Sequence, residues 1–70
     1  MEVNVQRLKQ LREEQALSLR ELASLADVPH NVIWRIEDGR QGAQPRTIRK
    51  LANALGVEPR ELVKRSGSDA

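Results

Sequence analysis

Prolines stand at positions 29, 45 and 59 of a 70-residue chain, and they limit what it can fold into. A proline has no N–H to give to the preceding helical turn and its ring collides with that turn, but in the first turn of a helix neither defect matters. The chain is therefore confined to short helices, and three of them begin near these residues. The helix near Pro29 stops before Gly39, a natural left-handed C-terminal residue. The helix at Pro45 carries Ile48, Leu51, Ala52 and Leu55 at i, i+3, i+4 and i+7 and ends at Gly56. The segment Glu58-Pro59-Arg60-Glu61 opens a short fifth helix with Leu62 and Val63 on its inner side.

Two further helices precede these. Val5, Leu8 and Leu11, with Gln15 behind them, recur at spacings of three and four, and Asn4 is placed to cap their helix. Ser18 and Glu21 form the capping-box pattern, so a second helix starts at Ser18 with Leu22, Ala23 and Ala26 facing inward and breaks around Asp27. The expected helices are about 4–15, 18–25, 29–37, 45–55 and 59–64, within a domain spanning 1–65. Residues 66–70, SGSDA, read as a flexible polar tail. No internal repeat and no strand pattern is visible.

Composition decides what can fill the interior. There is no Cys, Phe or Tyr, one Trp and one His, which leaves neither a disulfide framework nor a thiolate metal site. Leu, Val, Ile and Ala must make the core, and in a chain this short that core is thin. The expectation is an all-α fold, a compact bundle of five helices. No apolar run approaches the roughly 18 to 20 residues needed to span a bilayer, and MEVNVQR lacks the start of a signal peptide, so a soluble cytoplasmic protein is expected. The net charge of +2 is small. Its distribution is uneven, however, because Arg35, Arg40, Arg46, Arg49 and Lys50 between Val28 and Gly56 face only Glu37 and Asp38 as acidic residues.

The third helix divides that segment into two faces. At about 100° per residue, Val32, Ile33 and Ile36 lie on one side and His30, Asn31, Trp34 and Arg35 on the other, roughly 180° away. The second face carries side chains that can read DNA: Asn pairs with adenine N6 and N7, Arg with guanine O6 and N7, His with a single acceptor, and an indole N–H with phosphate. The plainer alternative, that any surface helix shows polar residues, stands beside this reading for the helix alone. The short turn before it and small Ala23 add the signature of a helix-turn-helix. Trp34 has two readings, a DNA backbone contact or an anchor for a protein partner.

The segment from Ser18 to Gly39, SLRELASLADVPHNVIWRIEDG, resembles the helix-turn-helix of the Cro and phage-repressor type, the XRE family. The likeness runs from about Val5 to Val63 and includes L-x-x-L-R-E in the first helix and L-S-x-x-E-L-A in the second. V-x-x-x-x-I-x-R-I-E-x-G follows in the third and L-A-x-A-L-G-V in the fourth. The resemblance implies a five-helix phage-repressor fold whose third helix lies in the major groove, with His30, Asn31 and Arg35 touching bases. It also implies backbone contacts from Ser18, the loop residue Arg40 and Arg46. Arg12 and Glu37 match positions that pair across the first and third helices and are expected to be structural. The chain departs from the family at Leu19, which stands where a phosphate-binding Gln is common, so that contact is lost or replaced by an apolar one although the position remains among the backbone-facing candidates. Asp27 replaces the usual turn glycine, and Pro29 the usual Ser or Thr cap.

The function expected is a sequence-specific transcriptional regulator binding duplex DNA, a repressor acting as a homodimer on an inverted repeat, in the cytoplasm at the nucleoid. Rival readings are an antitoxin or anti-repressor component that holds a partner protein, and the DNA-binding module of a longer regulator. No catalytic residue, metal or cofactor is expected. His30 with Asp27 and Ser18 lacks oxyanion donors and a pocket, and Gly39-x-x-Gly42 lacks the Lys-Ser/Thr of a phosphate loop.

Overall fold

A computed structural model describes residues 1–64. In it α1 (Val5–Glu14), α2 (Leu19–Ala26), α3 (His30–Glu37) and α4 (Pro45–Leu55) are followed by one 3-10 turn, Pro59–Leu62. The starts are set by local chemistry. Asn4 Oδ1 accepts from the Arg7 N–H at 3.2 Å. Ser18 Oγ accepts from the Glu21 N–H at 3.0 Å while Glu21 Oε1 accepts from the Ser18 N–H at 2.8 Å, completing the capping box. Pro29 occupies the cap position of α3, where no side chain caps the first turn.

All four helices end alike, with a left-handed residue that reverses the chain so that the next N–H bonds back five residues. These bonds run from Leu17 to Arg12, Val28 to Ala23, Arg40 to Arg35 and Val57 to Ala52, at 2.9–3.1 Å. Gly39 and Gly56 hold two of the left-handed positions, and Asp27 and Ala16 (φ 58° and 56°) the others. The first helix thus has a definite stop at an alanine that carries no glycine or proline signal.

Expectation and structure part at the C-terminal end. Among the described residues there are four α-helices and not five, because the segment from Pro59 makes only a four-residue 3-10 turn. Val63 then becomes extended (φ −99°, ψ 132°) and pairs with Val3 in an antiparallel bridge. The Asn4 N–H donates to Leu62 O at 2.8 Å and the Lys64 N–H to Glu2 O at 3.0 Å. Backbone pairing with the N-terminus replaces the bonds that a fifth helix would have made, and a segment this short cannot offset helix nucleation by itself. The tail expected at 66–70 lies outside the described residues.

The helix-turn-helix pair α2 and α3 packs on α4 through α2 and on α1 through α3. Leu8, Leu22, Ile33, Ile36, Leu51 and Leu62 are completely buried at their centre. Among these apolar groups lies one buried charge. Glu37, 7% exposed, receives Arg12 Nε at 2.8 Å and Nη2 at 3.0 Å. Arg12 Nη1 donates to Leu17 O at 2.9 Å, so one guanidinium joins α1, the turn after it and α3. Hydrogen bonding to Glu37 holds the Arg12 pKa above its ordinary value in spite of desolvation. The turn is tied separately, with Arg7 Nη2 donating to Glu61 Oε1 at 2.9 Å.

Removing one partner of a buried pair strands the other charge, so Glu37→Ala should destabilise the domain by about 3 kcal/mol or more. The double variant Arg12→Leu with Glu37→Met should recover most of that loss in urea unfolding. The hydrogen bond from Arg7 lowers the Glu61 pKa, so its contribution is present above the ordinary carboxylate pKa and lost as pH falls through the depressed value. Thermal unfolding followed between pH 5 and about 2.5 should therefore show a smaller acid-induced fall in Tm for Glu61→Gln than for the parent.

Candidate nucleic-acid interface

Burial of Ile33 and Ile36 turns the opposite side of α3 to solvent. His30, Asn31, Trp34 and Arg35 are all exposed there. The side chains of His30, Asn31 and Arg35 make no hydrogen bond or ion pair among the described residues, so their donors and acceptors are open to a ligand. Arg40, in the loop after α3, and Arg46, in the first turn of α4, are exposed as well.

Several charges of this segment are paired in the fold. Glu37 is neutralised internally by Arg12. Lys50 Nζ lies 4.0 Å from the Asp27 carboxylate and donates to the Asp27 carbonyl at 3.4 Å. Arg40 Nε donates to Asp38 Oδ2 at 2.6 Å. Arg35, Arg46 and Arg49 are left as cations without an acidic partner among the described residues. The positive field is therefore carried by fewer groups than the composition suggests, all of them exposed arginines.

At the start of α2 the capping box changes what Ser18 and Leu19 can offer. The Ser18 N–H and one lone pair of its hydroxyl are engaged with Glu21, which leaves the hydroxyl proton for an outside acceptor. The Leu19 side chain packs against the core, and its main-chain N–H, in the first turn of α2, has no intrahelical partner. Leu19 thus presents a backbone donor, which a sequence comparison of side chains alone overlooks.

Asp38 was not among the residues expected to matter. It orients Arg40, whose guanidinium carbon stands 5.1 Å from the centroid of the Trp34 ring. Six positions separate Trp34 from Arg40, a spacing with no meaning on a helix, and only the left-handed turn at Gly39 brings them together. The signal available in the sequence was the Asp-Gly-Arg at the helix end.

With this geometry in view, the comparisons with known proteins are specific. A family model described as a helix-turn-helix domain matches residues 5–65. The chain belongs to the helix-turn-helix domain family. Its similarity to the XRE type stands on relatives as well as motifs. It is 40% identical over 68 residues to the transcriptional repressor RghR of Bacillus subtilis, covering 96% of this chain and 50% of that protein. The solved structure of the restriction-modification controller protein C.AhdI from Aeromonas hydrophila superposes with a TM-score of 0.78 at 38% identity, covering 81% of this chain and 86% of that one. An HTH_3-family transcriptional regulator from Vibrio cholerae gives 0.77 at 30% identity, covering 81% of this chain and 32% of that one. The chain thus spans half the length of RghR and about a third of the Vibrio regulator. None of the three family relatives is described as an enzyme.

Because His30, Asn31 and Arg35 are exposed, alanine at each should change stability by no more than about 0.5 kcal/mol. Ile33→Ala on the opposite face should cost about 2–5 kcal/mol. Differential scanning fluorimetry of the four variants separates the two faces.

Proposed function

We propose that the chain is the DNA-binding domain of a transcription regulator, reading a specific duplex site with α3 in the major groove. The observation that carries this is the face of α3 opposite Ile33 and Ile36, where an imidazole, an amide and a guanidinium stand exposed without partners among the described residues. His30, Asn31 and Arg35 touch base edges, with Arg35 able to take guanine O6 and N7 together and Asn31 adenine N6 and N7. Ser18, the Leu19 main-chain N–H, Arg40 and Arg46 hold phosphates on either side and fix the register. Trp34 borders this set.

A single α3 offers three base-reading side chains, too few for high specificity, so two copies on an inverted repeat about one helical turn apart are part of the proposal. Repression is the direction favoured by the likeness to RghR. Between α4 and the 3-10 turn Pro45, Ile48, Pro59 and Val63 line a mainly apolar groove edged by Arg49 and Arg60, which offers a surface for self-association.

Selection of bound duplexes from fragmented genomic DNA at near-physiological salt should enrich a palindromic site, and failure to enrich any sequence would overturn the reading. On that site Arg35→Ala should cost about 1–3 kcal/mol and relax the preference at one base pair. Arg46→Ala should instead weaken all sequences alike and reduce the slope of log K against log salt by about 0.9. Uniform weakening by Arg35→Ala would remove it from base reading.

A further inference from the structure

Trp34 is the chain's one aromatic residue and is 45% exposed, yet one face of its ring is occupied. The Arg40 guanidinium stacks over it at 5.1 Å from the centroid, within the range in which a cation is attracted to a ring face. Beside the ring a shallow cleft opens towards Lys9, Arg12 and Glu13 of α1. Along α3, Trp34 stands one turn before Asp38, and Asp38 takes Arg40 Nε at 2.6 Å. Arg40 is thus held on one face by the indole and at one edge by a carboxylate, while Nη1 and Nη2 have no partner among the described residues. That free edge has the two parallel N–H donors that fit two oxygens of a phosphate.

We propose that Trp34 is a positioning residue that acts on DNA through Arg40: its ring is the platform that holds the guanidinium in place at the end of α3, ready for a backbone phosphate. The inference rests on the DNA-binding reading above and differs from a direct contact, because the indole N–H is not the group that meets DNA. An arginine on a loop ordinarily loses rotamer freedom when it binds phosphate, and a guanidinium already held by a ring face and the Asp38 carboxylate has lost part of it beforehand. Gly39 makes the arrangement possible, since its left-handed backbone (φ 75°) folds Arg40 back over the ring.

The test is a double-mutant cycle on a selected duplex, with Trp34→Ala, Trp34→Phe, Arg40→Ala and the two double variants, and thermal unfolding as the control for folding. Trp34→Ala should lower affinity about two- to fivefold for all sequences alike, and it should have no further effect once Arg40 is alanine. Trp34→Phe keeps a ring face but lacks the N–H, so it should retain most of the affinity. Additive losses, or Trp34→Phe behaving like Trp34→Ala, would overturn the platform while leaving DNA binding intact. In the free protein the Arg40 δ-protons should show an upfield ring-current shift that Trp34→Ala abolishes, and absence of that shift would also overturn it. If the parent chain bound no duplex, the proposed function itself would fall and this inference with it.

Discussion

Arg12 is the group on which the placement of the other elements depends. Its guanidinium spends two donors on Glu37 of α3 and one on the Leu17 carbonyl, and the geometry allows this only when α1, the following turn and α3 are in register. A bidentate pair is directional in a way that contacts among Leu and Ile are not. Burial of the Glu37 carboxylate is unfavourable unless Arg12 is in place, so packings of α3 that would leave it unpaired are discouraged. The exposed face of α3 owes its orientation to that requirement as much as to Ile33 and Ile36.

The remaining elements are joined by backbone rather than by side chains. Left-handed turns end all four helices, and in three of them an apolar residue follows, Leu17, Val28 and Val57, folding back onto the core. At the fourth the following residue is Arg40, and the end of α3 is therefore polar and exposed. The N-terminus closes the structure from the other side. Met1 O accepts from the Ala43 N–H at 2.9 Å, and a side chain at Gly42 would collide with the same carbonyl. Residues 1–4 thus run between the loop that follows α3 and the extended residues after the 3-10 turn, and they link the two in a domain whose core is small.

Around the candidate interface, charge serves two purposes that composition cannot separate. Arg12, Lys50 and Arg7 are engaged in holding elements together. Arg35, Arg46 and Arg49 are exposed and have no acidic neighbour among the described residues. Arg40 belongs to neither group, since Asp38 and Trp34 hold it locally at the end of α3 while its outer edge is open. A site of this kind depends more on where each donor points than on net charge, which is only +2 for the chain.

By itself the sequence determined the helix starts, most of the helix ends and the division of α3 into a buried and an exposed face. These follow from signals a few residues apart: Asn4, Ser18 with Glu21, Pro45, Gly39, Gly56 and the spacing of Ile33 and Ile36. The exposure of His30, Asn31 and Arg35 was legible for the same reason, because helical phase is a local property. The end of α1 near residue 15 was expected, but the left-handed turn at Ala16 that makes it was not, since an alanine gives no sign that tertiary packing will hold it left-handed. Nor was the loss of the fifth helix, which depends on Val3 meeting Val63 from the opposite end of the chain. The stacking of Arg40 on Trp34 and the conversion of Leu19 into a main-chain donor likewise required the folded form. Periodicity and capping are decided within a turn or two of helix, whereas bridges, stacks and the partners left open are decided by which distant segments pack together.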